Sequence, residues 1–75
     1  MIDSLLDACE FILNEQGEPQ SGFWLASQCM EMRLWRASEA DVRAALLKDI
    51  AKLGDFSRFV ALADDEFALR SWATD

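Results

Sequence analysis

Few side chains in this sequence could perform chemistry, and the chain has no histidine. That absence removes the general base and the transition-metal ligand that proteins use most often. Cys9 and Cys29 cannot complete a tetrahedral zinc site by themselves. The consecutive acids Asp64, Asp65 and Glu66 are typical of a solvated turn rather than of a cation site. We therefore expect no catalytic residue, metal, cofactor or small-molecule substrate, and hence no enzyme.

Basic residues are concentrated in the middle of the chain, although the formal net charge is -7. Residues 1–32 hold six acids and no base, whereas residues 33–60 hold six bases against four acids, a net charge of +2. These bases could form a face that contacts DNA phosphates. They could equally be solvated charges balanced by neighbours, as Arg43 would be by Glu39 one helical turn away. The candidate nucleic-acid-binding residues are Arg33, Arg36, Arg43, Lys48, Lys52 and Arg58.

A second candidate site is apolar and lies in and just after the second predicted helix. Its members are Phe23, Trp24, Met30, Met32 and Trp35. Clusters of exposed aromatic and methionine side chains mark protein interfaces, although some of these five could instead complete a small core. We expect Phe23 to turn inward beside Gly22 and Trp24 to stay partly exposed, so that the patch binds a protein partner or a second copy of the chain.

Three segments are predicted to be helical: 4–16, 21–33 and 39–53. In the first, apolar residues recur along one side, and Gly17 follows as a helix terminator. Ser21 and Ser38 are the candidate N-caps of the other two. The third helix also carries two acids in its first turn, where the helix dipole favours them.

The end of the chain is predicted to be a β-hairpin, with strands at 58–62 and 67–72 and a polar turn between them. Trp72 is expected to pack back across the hairpin. The two cysteines are expected to be a reduced, buried pair, because a free cysteine behaves as a small apolar side chain. The predicted core is centred on Leu6, Cys9, Leu13, Leu25, Cys29, Leu46, Ile50, Phe59 and Leu69.

Four short motifs on these elements resemble those of one known family. Gly17-Glu18-Pro19 follows the first helix, and Ala44–Ile50, with the sequence AALLKDI, ends in Asp-Ile within the third. Ser57–Val60 reads SRFV, and Phe67–Trp72 reads FALRSW. Together, and in this order, they are similar to the motifs of HARE-HTH domains, a family that includes the N-terminal domain of the bacterial RNA polymerase delta subunit. The resemblance covers roughly residues 4–72.

The resemblance implies a winged helix-turn-helix, an α+β and mainly α fold in which three helices precede a two-stranded β-hairpin wing. It also implies transcription- or DNA-associated work without catalysis. The chain departs from the family at Leu47, where an aromatic residue is common, and at Ala61, where a basic residue is common. The acidic hairpin turn is a further departure, and it disfavours a wing that approaches phosphate.

Taken together, these features predict a single domain, 1–75, that acts as a regulator or adaptor and binds a protein partner through its second helix. The alternative is a double-stranded DNA-binding winged helix that uses its third helix. No apolar run approaches the ~20 residues of a membrane span, and the first residues, Met1 to Ser4, lack the basic region of a signal peptide. A cytoplasmic protein with no membrane contact is therefore expected.

Overall fold

The computed structural model describes residues 2–73, so residue 1 and residues 74–75 of the predicted 1–75 domain lie outside the described residues. The fold is mainly helical and includes a small antiparallel sheet. The helices are α1 (Leu5–Gln16), α2 (Gly22–Glu31) and α3 (Glu39–Leu53). The strands within the described part are β1 (Gln20–Ser21), β2 (Phe59–Ala61) and β3 (Glu66–Leu69).

Each of the three helices begins after a serine whose hydroxyl accepts a hydrogen bond from a backbone N–H in the first turn. At Ser38 the arrangement is reciprocal, because the Asp41 N–H donates to the Ser38 hydroxyl at 3.2 Å and the Ser38 N–H donates to the Asp41 carboxylate at 3.2 Å. Such caps satisfy donors that have no partner inside the helix. The three predicted helix starts are therefore confirmed to within a residue.

The sheet differs from the predicted two-stranded hairpin, because β3 pairs with β2 on one side and with β1 on the other. Both pairings are antiparallel, with Gln20 opposite Phe67 and Phe59 opposite Leu69. The β1 strand has only two residues, too few to produce the alternating pattern by which strands are recognised in a sequence. Its pairing connects the residues just before α2 to β3.

The predicted strands were too long, and Trp72, which was predicted to lie in the second of them, follows that strand instead. Strand β3 ends at Leu69, and a 3-10 turn follows from Arg70 to Ala73. The Arg70 side chain reaches back to the carbonyl oxygens of Ser57 at 2.8 Å and Gly54 at 2.9 Å. Trp72 lies in this turn and is 36% exposed.

The core lies between the three helices and one side of the sheet. Of the predicted core residues, Leu6 and Ile50 are only partly buried and pack against its edge, and the other seven are buried. The prediction omitted Ile12, Val42 and Phe67, which are buried as well. Both cysteines are free and buried, as predicted.

One polar pair ties the end of α3 to the first strand of the hairpin. The buried Ser57 hydroxyl donates to the Asp49 carboxylate at 2.6 Å and accepts from the Phe59 N–H at 3.2 Å. Asp49 is the single polar residue on the apolar side of the third helix, and this bond accounts for it. The contact fixes the position at which β2 begins.

Substitution of Leu46 by alanine tests the packing at the centre of this core. Leu46 has no exposed surface, so Leu46→Ala should leave a cavity and lower the free energy of unfolding by about 2–5 kcal/mol. Leu47→Ala on the same helix is the matched control, since Leu47 is 45% exposed. Urea unfolding of both variants measures the difference, and equal losses would contradict this packing.

Candidate functional site

The helix α2 buries one side and exposes apolar residues on the other. Leu25, Ala26 and Cys29 face the core, whereas Phe23 is 64% exposed and Met30 is 54% exposed. The expectation that Phe23 turns inward is wrong. A Cβ on Gly22 would lie 3.7 Å from Phe67 Cε2, so the phenylalanine of β3 already occupies that space. Trp24 is partly buried against the core, consistent with the expected partial exposure.

A groove of about 630 Å³ opens where α2 ends and the chain turns toward α3. Trp35, which is 38% exposed, contributes to it together with Met30 and the partly buried Leu34. Of the described residues that line the groove, two are arginines and none is acidic. The lining residues are Cys29, Met30, Arg33, Leu34, Trp35 and Arg36.

A second groove, of about 240 Å³, shares Met30 with the first and extends toward the start of α2. Phe23 and Ala37 are also among its lining residues. We call the exposed side chains of Phe23, Met30 and Trp35 the α2 surface. The other two members of the predicted apolar set line neither groove: Met32 is 42% exposed, and Trp24 packs against the core.

The α2 helix ends without a glycine, two residues earlier than predicted. After Glu31 the chain closes with hydrogen bonds from the Leu34 N–H to the Cys29 carbonyl oxygen at 2.9 Å and from the Arg33 N–H to the Met30 carbonyl oxygen at 3.1 Å. This is the pattern in which the C′ residue takes the left-handed conformation, usually as glycine. Arg33 takes it here, with φ at 57°, at a cost of roughly 1–2 kcal/mol. The turn brings its side chain to the groove.

The structure does not gather the six predicted nucleic-acid-binding residues into one face. Arg43 on α3 pairs with Glu39 at 2.7 Å, as the alternative interpretation expected, and lies 3.7 Å from Asp65. Arg58 lies against α1, where it pairs with Asp7 at 2.9 Å and Glu10 at 2.7 Å. Both cations are therefore neutralised within the domain.

The other four cations of the set have no carboxylate at ion-pair distance in residues 2–73. Lys48 and Lys52 are exposed on α3, whereas Arg33 and Arg36 line the groove beside Trp35. Arg33 and Arg36 belong to one predicted site and Trp35 to the other, and the groove brings the three residues together. The sequence Arg-Leu-Trp-Arg at 33–36 could have predicted one combined site, because cations lie on both sides of its apolar residues.

The remaining chemistry-bearing groups are packed or solvated. The adjacent thiol of Cys29 and burial raise the pKa of Cys9 far above that of a free cysteine, so Cys9 is protonated at neutral pH and lacks the thiolate that makes a cysteine reactive. Asp64 and Asp65 occupy left-handed positions in the turn, with φ of 63° and 60°. No group of three potential metal ligands comes together within residues 2–73.

Comparison of the chain with protein-family models, with curated proteins and with solved structures finds no match. Of the helices in residues 2–73, none has both the length and the apolar character that a membrane span requires.

The ion pairs of Arg58 should make stability depend on pH. The hydrogen bond from Arg58 holds the pKa of Asp7 below its ordinary value of 3.8. The ionised carboxylate therefore stabilises the folded state above that pH, and this stabilisation is lost as the pH falls through the lowered pKa. Arg58→Gln should therefore destabilise the domain at neutral pH and do so less at about pH 3, where carboxylates become protonated. Guanidinium unfolding at the two pH values measures this.

Lys48→Gln is the matched control for Arg58→Gln, because Lys48 is an exposed cation without an ion pair and its removal changes the net charge equally. Its effect should be small at both pH values. An Arg58→Gln effect that does not shrink in acid would contradict a stabilising role for the pairs with α1.

Proposed function

We propose that the chain is a winged-helix domain of the HARE-HTH type and acts as a non-enzymatic recognition module for a protein partner. The fold part of this proposal is supported by the element order α1-β1-α2-α3-β2-β3 and by the sheet order β1-β3-β2. Three helices precede the β2–β3 hairpin, as the resemblance implies for a winged helix, and β1 adds a third strand at the edge of that hairpin. The family motifs favour a transcription- or DNA-associated setting.

The α2 surface is the main support for the proposed binding of a protein partner. Phe23, Met30 and Trp35 are exposed around two grooves that meet at Met30. Apolar residues scattered singly over a surface need no explanation, but aromatic and methionine side chains that converge on grooves are characteristic of interfaces. An arginine at each side of Trp35 fits the same description, because arginine is enriched at interfaces relative to lysine.

Three observations disfavour DNA binding through α3. Glu39 and Asp41 occupy the first turn of this helix, the region from which a recognition helix contacts base edges. Arg43 is held by Glu39, which leaves Lys48 and Lys52 as the cations of α3 that lack ion pairs. The net charge of -7 repels a polyanion at long range. A protein partner is therefore the better-supported proposal.

Site-specific photo-crosslinking in cells that express the chain natively tests this function. Benzoylphenylalanine in place of Phe23 should give a light-dependent adduct with one protein, identified by mass spectrometry. The same amino acid in place of Phe56 is the matched control, because Phe56 is 90% exposed but lies outside the α2 surface. Met30→Glu, combined with the label at position 23, should abolish the adduct.

The control position decides between the outcomes. Equal adducts from positions 23 and 56 would indicate random collision and contradict the proposal, as would the absence of any adduct from position 23. A nucleic-acid adduct formed from an exposed α3 position, such as Ala51, would favour the DNA alternative instead.

A further inference from the structure

The groove at the end of α2 has a charge opposite to that of the whole chain. The net charge is -7, yet the groove is lined by Arg33 and Arg36 and by no acidic residue among those described. Neither arginine has a carboxylate at ion-pair distance in residues 2–73, whereas the other three arginines all have one. The other residues that line the groove are apolar and form its floor: Cys29, Met30, Leu34 and Trp35.

We propose that this groove binds an acidic, amphipathic segment of the partner protein. An apolar side chain of the segment packs against Trp35 and Met30, and carboxylates on either side of it pair with Arg33 and Arg36. Arginine suits this role because its planar guanidinium binds a carboxylate through two parallel hydrogen bonds. This inference rests on the proposed function and specifies the chemistry of the partner.

Charge and symmetry argue against the other occupants. A second copy related by a two-fold axis would place the same patch against itself, so the groove arginines of one copy would face a patch that also carries two arginines and no acidic lining residue. The phosphates of DNA could pair with the arginines, but DNA would provide no apolar side chain to pack against the floor of the groove. A short acidic segment with an apolar anchor satisfies both parts of the groove and carries few charges to be repelled by the rest of the chain.

The direct test is selection from a displayed library of random peptides of about 15 residues, long enough to form a helix. The full chain is the bait. Sequences enriched on it should combine Asp or Glu with at least one Trp, Phe or Leu, and they should not be enriched on a Trp35→Ala bait. One enriched peptide is then synthesised, and its affinity is measured by fluorescence anisotropy at low and moderate salt.

Two charge variants separate the arginines of the groove from net charge. Arg33→Gly with Arg36→Gln should weaken the peptide about tenfold, the effect expected for two partly exposed ion pairs. Glycine suits the left-handed backbone at Arg33, so this variant should remain folded. Lys48→Gln with Lys52→Gln removes the same charge from α3 and should change the affinity less than twofold, an effect limited to long-range electrostatics. Trp35→Ala should weaken binding roughly 30-fold, as for an interface anchor.

The selection distinguishes failure of this inference from failure of the proposed function. Apolar peptides that are neutral or basic, and that depend on Trp35, would overturn the acidic partner and leave a protein-binding α2 surface intact. Acidic peptides that bind the Arg33 and Arg36 variant as well as the wild type would also overturn the inference. Enrichment that is equal on the wild-type and Trp35→Ala baits would contradict a binding site at this groove, whereas the crosslink from position 23 tests the surface independently.

Discussion

A helix of ten residues in a domain of this size buries only the side that faces its neighbours, and α2 is apolar on more than that side. Leu25, Ala26 and Cys29 take the places against the core. Phe67 of the sheet fills the space beside Gly22, so no room remains there for Phe23. The apolar residues outside this contact are therefore left on the surface, and the α2 surface is a consequence of how the core is filled.

Three of the five arginines are held by partners within the domain, and the two that line the groove are not. Arg58 joins the loop before β2 to α1, Arg43 is held on α3, and Arg70 bonds to the backbone before β2. These contacts stabilise the packing of the sheet against the helices, and they hold three cations within the domain. Arg33 and Arg36 are left beside apolar side chains, with no carboxylate of residues 2–73 at ion-pair distance.

The helices could be predicted from the sequence because their signals are local. Ser21 and Ser38 begin helices by capping their own first turns, and periodicity over a dozen residues identifies the buried side. What could not be predicted depends on contacts between distant segments. Strand β1 exists through its pairing with β3. Trp72 lies outside the sheet because the chain turns at Arg70, and Phe67, far along the chain, fills the space beside Gly22 that Phe23 was expected to occupy. The groove brings together arginines and a tryptophan that the sequence patterns placed in separate candidate sites.

The most direct test of this account follows the indole N–H signals of the tryptophans in a nitrogen–proton correlation spectrum. Trp35 lines the groove, Trp24 lies at the edge of the core, and Trp72 is near the end of the chain. An acidic amphipathic peptide should shift the Trp35 signal most and leave that of Trp72 in place, whereas duplex DNA at physiological salt should move neither. The account would be contradicted if duplex DNA saturated the domain under these conditions while the peptide left the Trp35 signal unchanged.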